Sequence, residues 1–244
     1  MKKRYIRLAA ISVVIVGIVI GVLVYTSRFA STVSQTHTAS GPVVPSPTAA
    51  GVATAANGAS TSSTGPKTFQ IMPAQTTASY SVDENLIFQN KPHNDAVGTT
   101  HSVQGNFRIQ TGASPLVDAM NVKVDLSTLQ TDSQMRDNYV RKHALETDMY
   151  PDATFISVST QGLPTSYNDG ESVHFQLTGN LTMHGKTNKE VFDVQGKVVD
   201  KTVTGMATST IYMTDFGIQP PNLANVAISQ NKVLVTINFT AKEA

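Results

Sequence analysis

For residues 77–244 the sequence predicts an all-β domain, an eight-stranded antiparallel barrel, and three observations predict it. Eight runs alternate apolar and polar side chains with a period of two. Short turn-forming stretches join several of them: "TGASP" at 111–115, "SYNDG" at 166–170 and "HGKTN" at 184–188. No long amphipathic helix is present to cover a sheet. Strands with one apolar face must bury it against another sheet or close on themselves. Strands of nine to thirteen residues are long for a sandwich of this size. Closure removes exposed edges and leaves an interior that can hold one small ligand.

The runs lie near 79–89, 100–110, 118–127, 153–161, 172–184, 189–199, 203–214 and 231–242. The clearest is "VHFQLTGNLTM", which places Phe175, Leu177 and Leu181 on one face and His174, Gln176, Thr178, Asn180 and Thr182 on the other. The same alternation turns Tyr80 and Val82 inward in the first run, Val103 and Phe107 in the second, and Val122 and Val124 in the third. Later runs contribute Phe192 with Val194, Ile211 with Met213, and Val235 with Ile237. Several inward positions are small (Gly105, Gly179, Gly205 and Ala207), which fits either a lumen with room in it or bends in the strands. These side chains either line a cavity or fill a solid core, and alternation alone does not decide between the two.

Between the third and fourth runs stands "RDNYVRKHALETDMYPDATF", residues 136–155, with arginine, lysine, histidine and four acids in a lightly charged chain. Thr131 and Gln134 have capping-box spacing, Met135 and Tyr139 share a helical face, and Pro151 stops the element. The expectation is a short helical lid across one end of the barrel, with Met135 and Tyr139 toward the lumen. Arg136, Arg141 and Lys142 would then meet an anionic headgroup or face solvent, and Arg136 paired with Asp132 or Asp137 would brace the lid.

Chemistry at this stretch is a poor fit. His143, Glu146 and Asp148 lack any standard zinc spacing, His174 and His184 fall on outward strand positions, and His37 lies far upstream. Asp148 and Asp152 on a loop read as solvating groups rather than an acid–base pair. Asp215-Phe216-Gly217 has no phosphate-binding glycine loop or catalytic loop to accompany it. The reading is therefore a binding protein, not an enzyme, with no metal and no cofactor.

Composition bounds the rest. The chain has 244 residues and no cysteine, which excludes disulfides, thiolate metal sites and a cysteine nucleophile. No acid precedes Asp83, so after residue 66 thirteen bases stand against all seventeen acids, a net charge of −4. That leaves no electrostatic footprint for nucleic acid. Residues 8–25, "LAAISVVIVGIVIGVLVY", form an uncharged run that as a helix rises roughly 27 Å, enough to cross a bilayer core. Four bases precede it, which places the N-terminus in the cytoplasm. A cleaved signal is the alternative, but the apolar run is too long and "SRFA" is a poor cleavage site. Residues 1–28 are thus read as a basic stub with a single-pass anchor. Residues 29–76 follow as a Ser/Thr/Ala/Pro-rich disordered tether, uncharged as far as Pro66, and 77–244 are the extracytoplasmic barrel at the cell membrane.

"RDNYVRKHALETDMYPDATF", then "LTGNLTMHGKTNKEV", "TDFGI" and a last strand "KVLVTINFTAKE" together resemble the YceI-like family over roughly residues 78–243. The resemblance implies a lipocalin-like barrel outside the cytoplasm that binds a polyisoprenoid or other amphipathic lipid without catalysis. The fifteen inward side chains named above would run along that lipid. Three departures bear on the headgroup contacts. Tyr80 stands where many members have tryptophan, Asp83 is followed by "ENLIF" rather than His-Ser, and Met213 replaces a frequent arginine. A homodimer is left open, and so is an exported interaction module with a filled barrel.

Overall fold

The structure is a computed structural model and describes residues 65–244. The expected anchor at 8–25 and the tether as far as residue 64 lie outside the described residues. Among those described, no helix is long and apolar enough to cross a membrane.

Among the described residues eleven strands form one sheet: β1 (Lys67–Ile71), β2 (Thr77–Leu86), β3 (Lys91–Thr100), β4 (Val103–Gln110), β5 (Leu116–Asp125), β6 (Asp152–Gln161), β7 (Ser172–Met183), β8 (Lys186–Val199), β9 (Thr202–Tyr212), β10 (Asn222–Leu223) and β11 (Ala227–Glu243). All pairings are antiparallel, and most strands pair with their neighbours in sequence. One edge of β11 pairs with β9, and the other pairs with β2 over Ile228–Asn238 and with β1 over Ala241–Glu243. Closure follows from that double pairing. β1 and β2 are two halves of one broken stave, β3 and β4 are two halves of a bent one, and eight staves complete the barrel.

The break in the first stave is made by Pro73, which has no N–H to give a ladder. Buried Thr76 spans it, with its hydroxyl donating to the Thr240 carbonyl (3.4 Å) and accepting from the Thr240 N–H (3.2 Å). Residues 67–76, read from sequence as the end of the tether, are therefore barrel. Phe69 is 1% exposed and stacks on Phe107 with ring centroids 5.6 Å apart. Two apolar residues in a five-residue strand gave too short a pattern to register. The strand β3 escaped too, because "KPHNDAVGTT" turns Asn94, Ala96, Gly98 and Thr100 toward the buried side and carries no large apolar side chain there.

The other expected runs become strands with ends shifted by a few residues. The largest shift is at β11, which begins at Ala227 rather than near 231. β8 begins at Lys186 rather than near 189, because only His184 (φ 51°) and Gly185 (φ 71°) form the hairpin loop. Two successive residues of positive φ give the turn whose twist matches that of the flanking strands.

Candidate functional site

Two chambers lie inside the barrel, about 670 Å³ and about 120 Å³. Along β7, Val173, Phe175 and Leu177 line the smaller one, and Leu181 and Met183 line the larger. Val122, Phe155, Phe192 and Ile237 border both, so they form a collar, with Phe155 set edge-on to Phe192 at 5.0 Å between centroids. The smaller chamber presents only apolar surface, and polar groups of the larger one gather at its mouth.

All fifteen side chains expected to face inward belong to the buried cluster or pack against it. Tyr80, Val82, Val124, Leu181, Ile211, Met213 and Val235 line the larger chamber, and Phe107, Phe175, Leu177 and Val194 the smaller. Val122, Phe192 and Ile237 belong to the collar, and Val103 fills the wall without lining either chamber. The inward glycines do not create this room. A Cβ on Gly179 would stand 2.2 Å from the Phe155 ring, and one on Gly205 would stand 2.7 Å from Phe239, so aromatic rings from neighbouring strands cover both. Gly105 (φ 153°) lies against the Asn121 carbonyl of β5.

The lid is helix α1 (Gln134–Tyr139), continued by a π-turn, Val140–Ala144. Its cap is Ser133, whose Oγ accepts from the Arg136 N–H at 3.3 Å. Thr131, expected to open a capping box, instead donates from its N–H (2.8 Å) and hydroxyl (2.7 Å) to the buried Asp137. Tyr139 is half-buried and lines the larger chamber. Met135 reaches only its rim and is 80% exposed. Arg141 donates to the Leu129 carbonyl (3.0 Å) and to Asn138 (3.1 Å), so it braces the loop and does not line the cavity. Lys142 is exposed and lines neither chamber.

Arg136 is the lid's link to the barrel. Its Nη2 donates to Glu84 Oε1 at 2.6 Å, and its Nη1 donates to Thr131 Oγ1 at 3.3 Å and to Asp132. Burial works against the guanidinium charge, but the bonds to Glu84 and Asp132 outweigh it and raise its pKa. Glu84 is 5% exposed and also accepts from Asn94 Nδ2 at 3.0 Å. Sequence reasoning passed over Glu84, although the alternation of Ala78, Tyr80 and Val82 continues to it and turns it inward. Tyr80 lies over Gly98 and lines the larger chamber. Among the described residues no buried side-chain oxygen lacks a partner, so the Tyr80 hydroxyl, which has none, opens onto the chamber. Burial pushes its pKa up to about 12, with Arg136 pulling down and Asp137, Glu84 and Asp132 pushing up.

His184 departs from the expected outward position. In the β7–β8 turn its Nδ1 lies 3.2 Å from the Phe216 carbonyl and its Nε2 3.1 Å from Glu146, while its ring packs on Tyr150 at 4.7 Å. This cluster ties the far end of the lid segment to a hairpin. Phe216 is fully buried and Gly217 takes a left-handed φ of 74°, so the Asp215-Phe216-Gly217 stretch packs as a turn. Among the described residues no three His, Cys, Asp or Glu side chains gather where a metal would be held.

Solved structures with this barrel include BcnA of Burkholderia cenocepacia, with a TM-score of 0.54 and 17% identity over 70% of this chain and 99% of that one. Another is a polyisoprenoid binding domain from Saccharophagus degradans implicated in plant cell wall breakdown, at 0.56 and 15% over 72% and 98%. At these identities they show a shared fold. A UPF0312 protein of Pseudomonas putida is 30% identical over 131 residues, 51% of this chain and 64% of its own length. Protein YceI of Shigella flexneri is 29% identical over 118 residues, 45% of this chain and 57% of its own. Both matches span less than two thirds of those relatives. The family model for the YceI-like domain matches residues 69–241, from the start of the first stave to the end of the last, and the chain belongs to that family.

Proposed function

We propose that this protein holds a polyisoprenoid or similar amphipathic lipid in its barrel, for carriage or storage and without catalysis. The observation that carries the reading is the lumen itself. A chamber of about 670 Å³, apolar except at its mouth, continues through an aromatic collar toward a second apolar chamber. Its volume falls in the range of small-molecule sites, roughly 300–1,000 Å³. Each methylene moved from water into such a lumen is worth about 0.8 kcal/mol, so a tail of about sixteen carbons supplies on the order of 10 kcal/mol before the entropy of binding is subtracted. The Saccharophagus degradans domain, described as polyisoprenoid binding, supports the same ligand class. Met135 and Phe88, which is 86% exposed beside the mouth-lining Leu86 and Gln89, offer apolar surface where a chain would enter.

The proposal extends to location. The uncharged run at 8–25 anchors the chain in the membrane, and a tether ending near residue 66 keeps the barrel close to it on the extracytoplasmic side. Phosphatase fused at Gly65 is expected to be active; a soluble product starting near Ser31 would contradict the anchor.

Displacement of a bound fluorescent fatty chain tests the binding role. Geranylgeraniol is expected to displace it from the delipidated full-length chain, and Ala153→Phe, which puts a ring into the larger chamber, is expected to weaken probe binding in a folded protein. Unchanged probe binding in that variant would place the lipid outside the barrel.

A further inference from the structure

We infer that the lipid this cavity accepts ends in an uncharged head bearing a hydrogen-bond acceptor, such as an alcohol or carbonyl oxygen, and that phosphorylated heads are disfavoured. The inference rests on the lipid-binding reading and adds the ligand's polar chemistry.

Four charged side chains line the larger chamber, Glu84, Lys91, Asp132 and Arg136, two of each sign. An anionic head needs a cation with free donors. Arg136 is the more buried of the two cations, but one arm is held by Glu84 at 2.6 Å and the other by Asp132 and Thr131. A phosphate brought to that guanidinium would meet two carboxylates already at contact distance, and displacing Glu84 would leave a buried carboxylate without its cation. Lys91 is exposed and donates to Asn94, whose amide in turn donates to Glu84. Arg141 and Lys142, the other bases of the lid, line neither chamber. The electrostatics of the mouth are satisfied internally.

What the mouth leaves unsatisfied is a neutral donor. Tyr80 lines the larger chamber on the same face of β2 as Glu84, and among the described residues its hydroxyl has no partner. A tyrosine phenol is protonated at neutral pH, and burial raises its pKa further. A protonated phenol at the end of an apolar tunnel suits a ligand oxygen that carries no charge, since burying that oxygen without a donor would cost binding.

The test titrates delipidated full-length protein with two probes sharing one tail, geranylgeraniol and geranylgeranyl diphosphate, without divalent cations. The alcohol is expected to bind the wild type at least about ten-fold more tightly. The two probes differ in solubility, so the deciding number is the change in their ratio. Glu84→Gln removes the buried carboxylate charge beside Arg136, and is expected to raise diphosphate binding relative to the alcohol about ten-fold. Tyr80→Phe is expected to lower alcohol binding relative to the diphosphate several-fold. An unchanged ratio in Glu84→Gln, or tighter diphosphate binding by the wild type that Arg136→Gln removes, would overturn the inference. If Glu84→Gln does not fold, the wild-type preference and Tyr80→Phe decide. If a folded wild type binds neither probe, the lipid-binding reading fails and takes this inference with it.

Discussion

Arg136 and Glu84 are 52 residues apart in sequence and 2.6 Å apart in space, and their ion pair fastens the lid helix to the inner face of β2. Both side chains are largely withdrawn from water, Glu84 more completely. Removing one partner from such a pair leaves the other charge buried alone. Arg136→Met is therefore expected to cost about 2–4 kcal/mol, somewhat below the cost for a fully enclosed pair because the arginine keeps some exposure. The double variant Glu84→Leu with Arg136→Met is expected to recover much of that loss. Urea unfolding followed by circular dichroism measures both. Additive losses in the double variant would show that the pair is not coupled.

Tyr80 gives the barrel a signature in alkali. Its pKa rises from an ordinary value near 10 to about 12, so the folded state favours the protonated phenol. That contribution is complete below about pH 10 and is lost as pH climbs through about 12, a change on the order of 2–3 kcal/mol. Wild-type stability is expected to fall more steeply over this window than that of Tyr80→Phe. Parallel pH profiles for the two proteins would mean that the phenol is not buried.

Gly179 tests how the lumen is packed. A methyl there would stand 2.2 Å from the Phe155 ring and 2.6 Å from the Ile156 carbonyl, so Gly179→Ala must move a collar residue or the backbone of β6. Overpacking of this kind costs about 1–3 kcal/mol. A protein of unchanged melting temperature would contradict the ring-over-glycine arrangement.

Register along β7 is tested by charge. Leu181 is buried and His174 exposed. Leu181→Asp is expected to destabilise by several kcal/mol or to force the carboxyl to stay protonated, whereas His174→Asp is expected to change stability by less than about 0.5 kcal/mol. Equal effects at the two sites would shift the strand by one residue.

Most of the barrel was legible in the sequence because its inward side chains are large and alternate over long runs. Phe175, Leu177, Leu181, Phe192 and Val194 announce both the strand and the face. β3 was silent because its inward positions are Asn94, Ala96, Gly98 and Thr100, small or polar groups that sit beneath Tyr80 and beside Glu84. The polar mouth was harder to read. Alternation marks Glu84 as inward, but nothing local says that a carboxylate there will find Arg136 across 52 residues of chain. His184 was misplaced for a related reason. The period-two pattern runs on through Met183, while the chain actually turns at the next residue with a positive φ. The lid was foreseen as an element, yet its cap fell on Ser133 because Thr131 is held by Asp137.

A barrel that carries or stores a lipid must hold one in its lumen. Full-length protein purified from cells under mild conditions, extracted with organic solvent and analysed by mass spectrometry, measures this directly. The prediction is one isoprenoid-type chain per barrel with an uncharged end, and a lower recovery from folded Ala153→Phe protein. Recovery of no lipid from a correctly folded wild-type barrel, with unchanged stability after solvent washing, would contradict it.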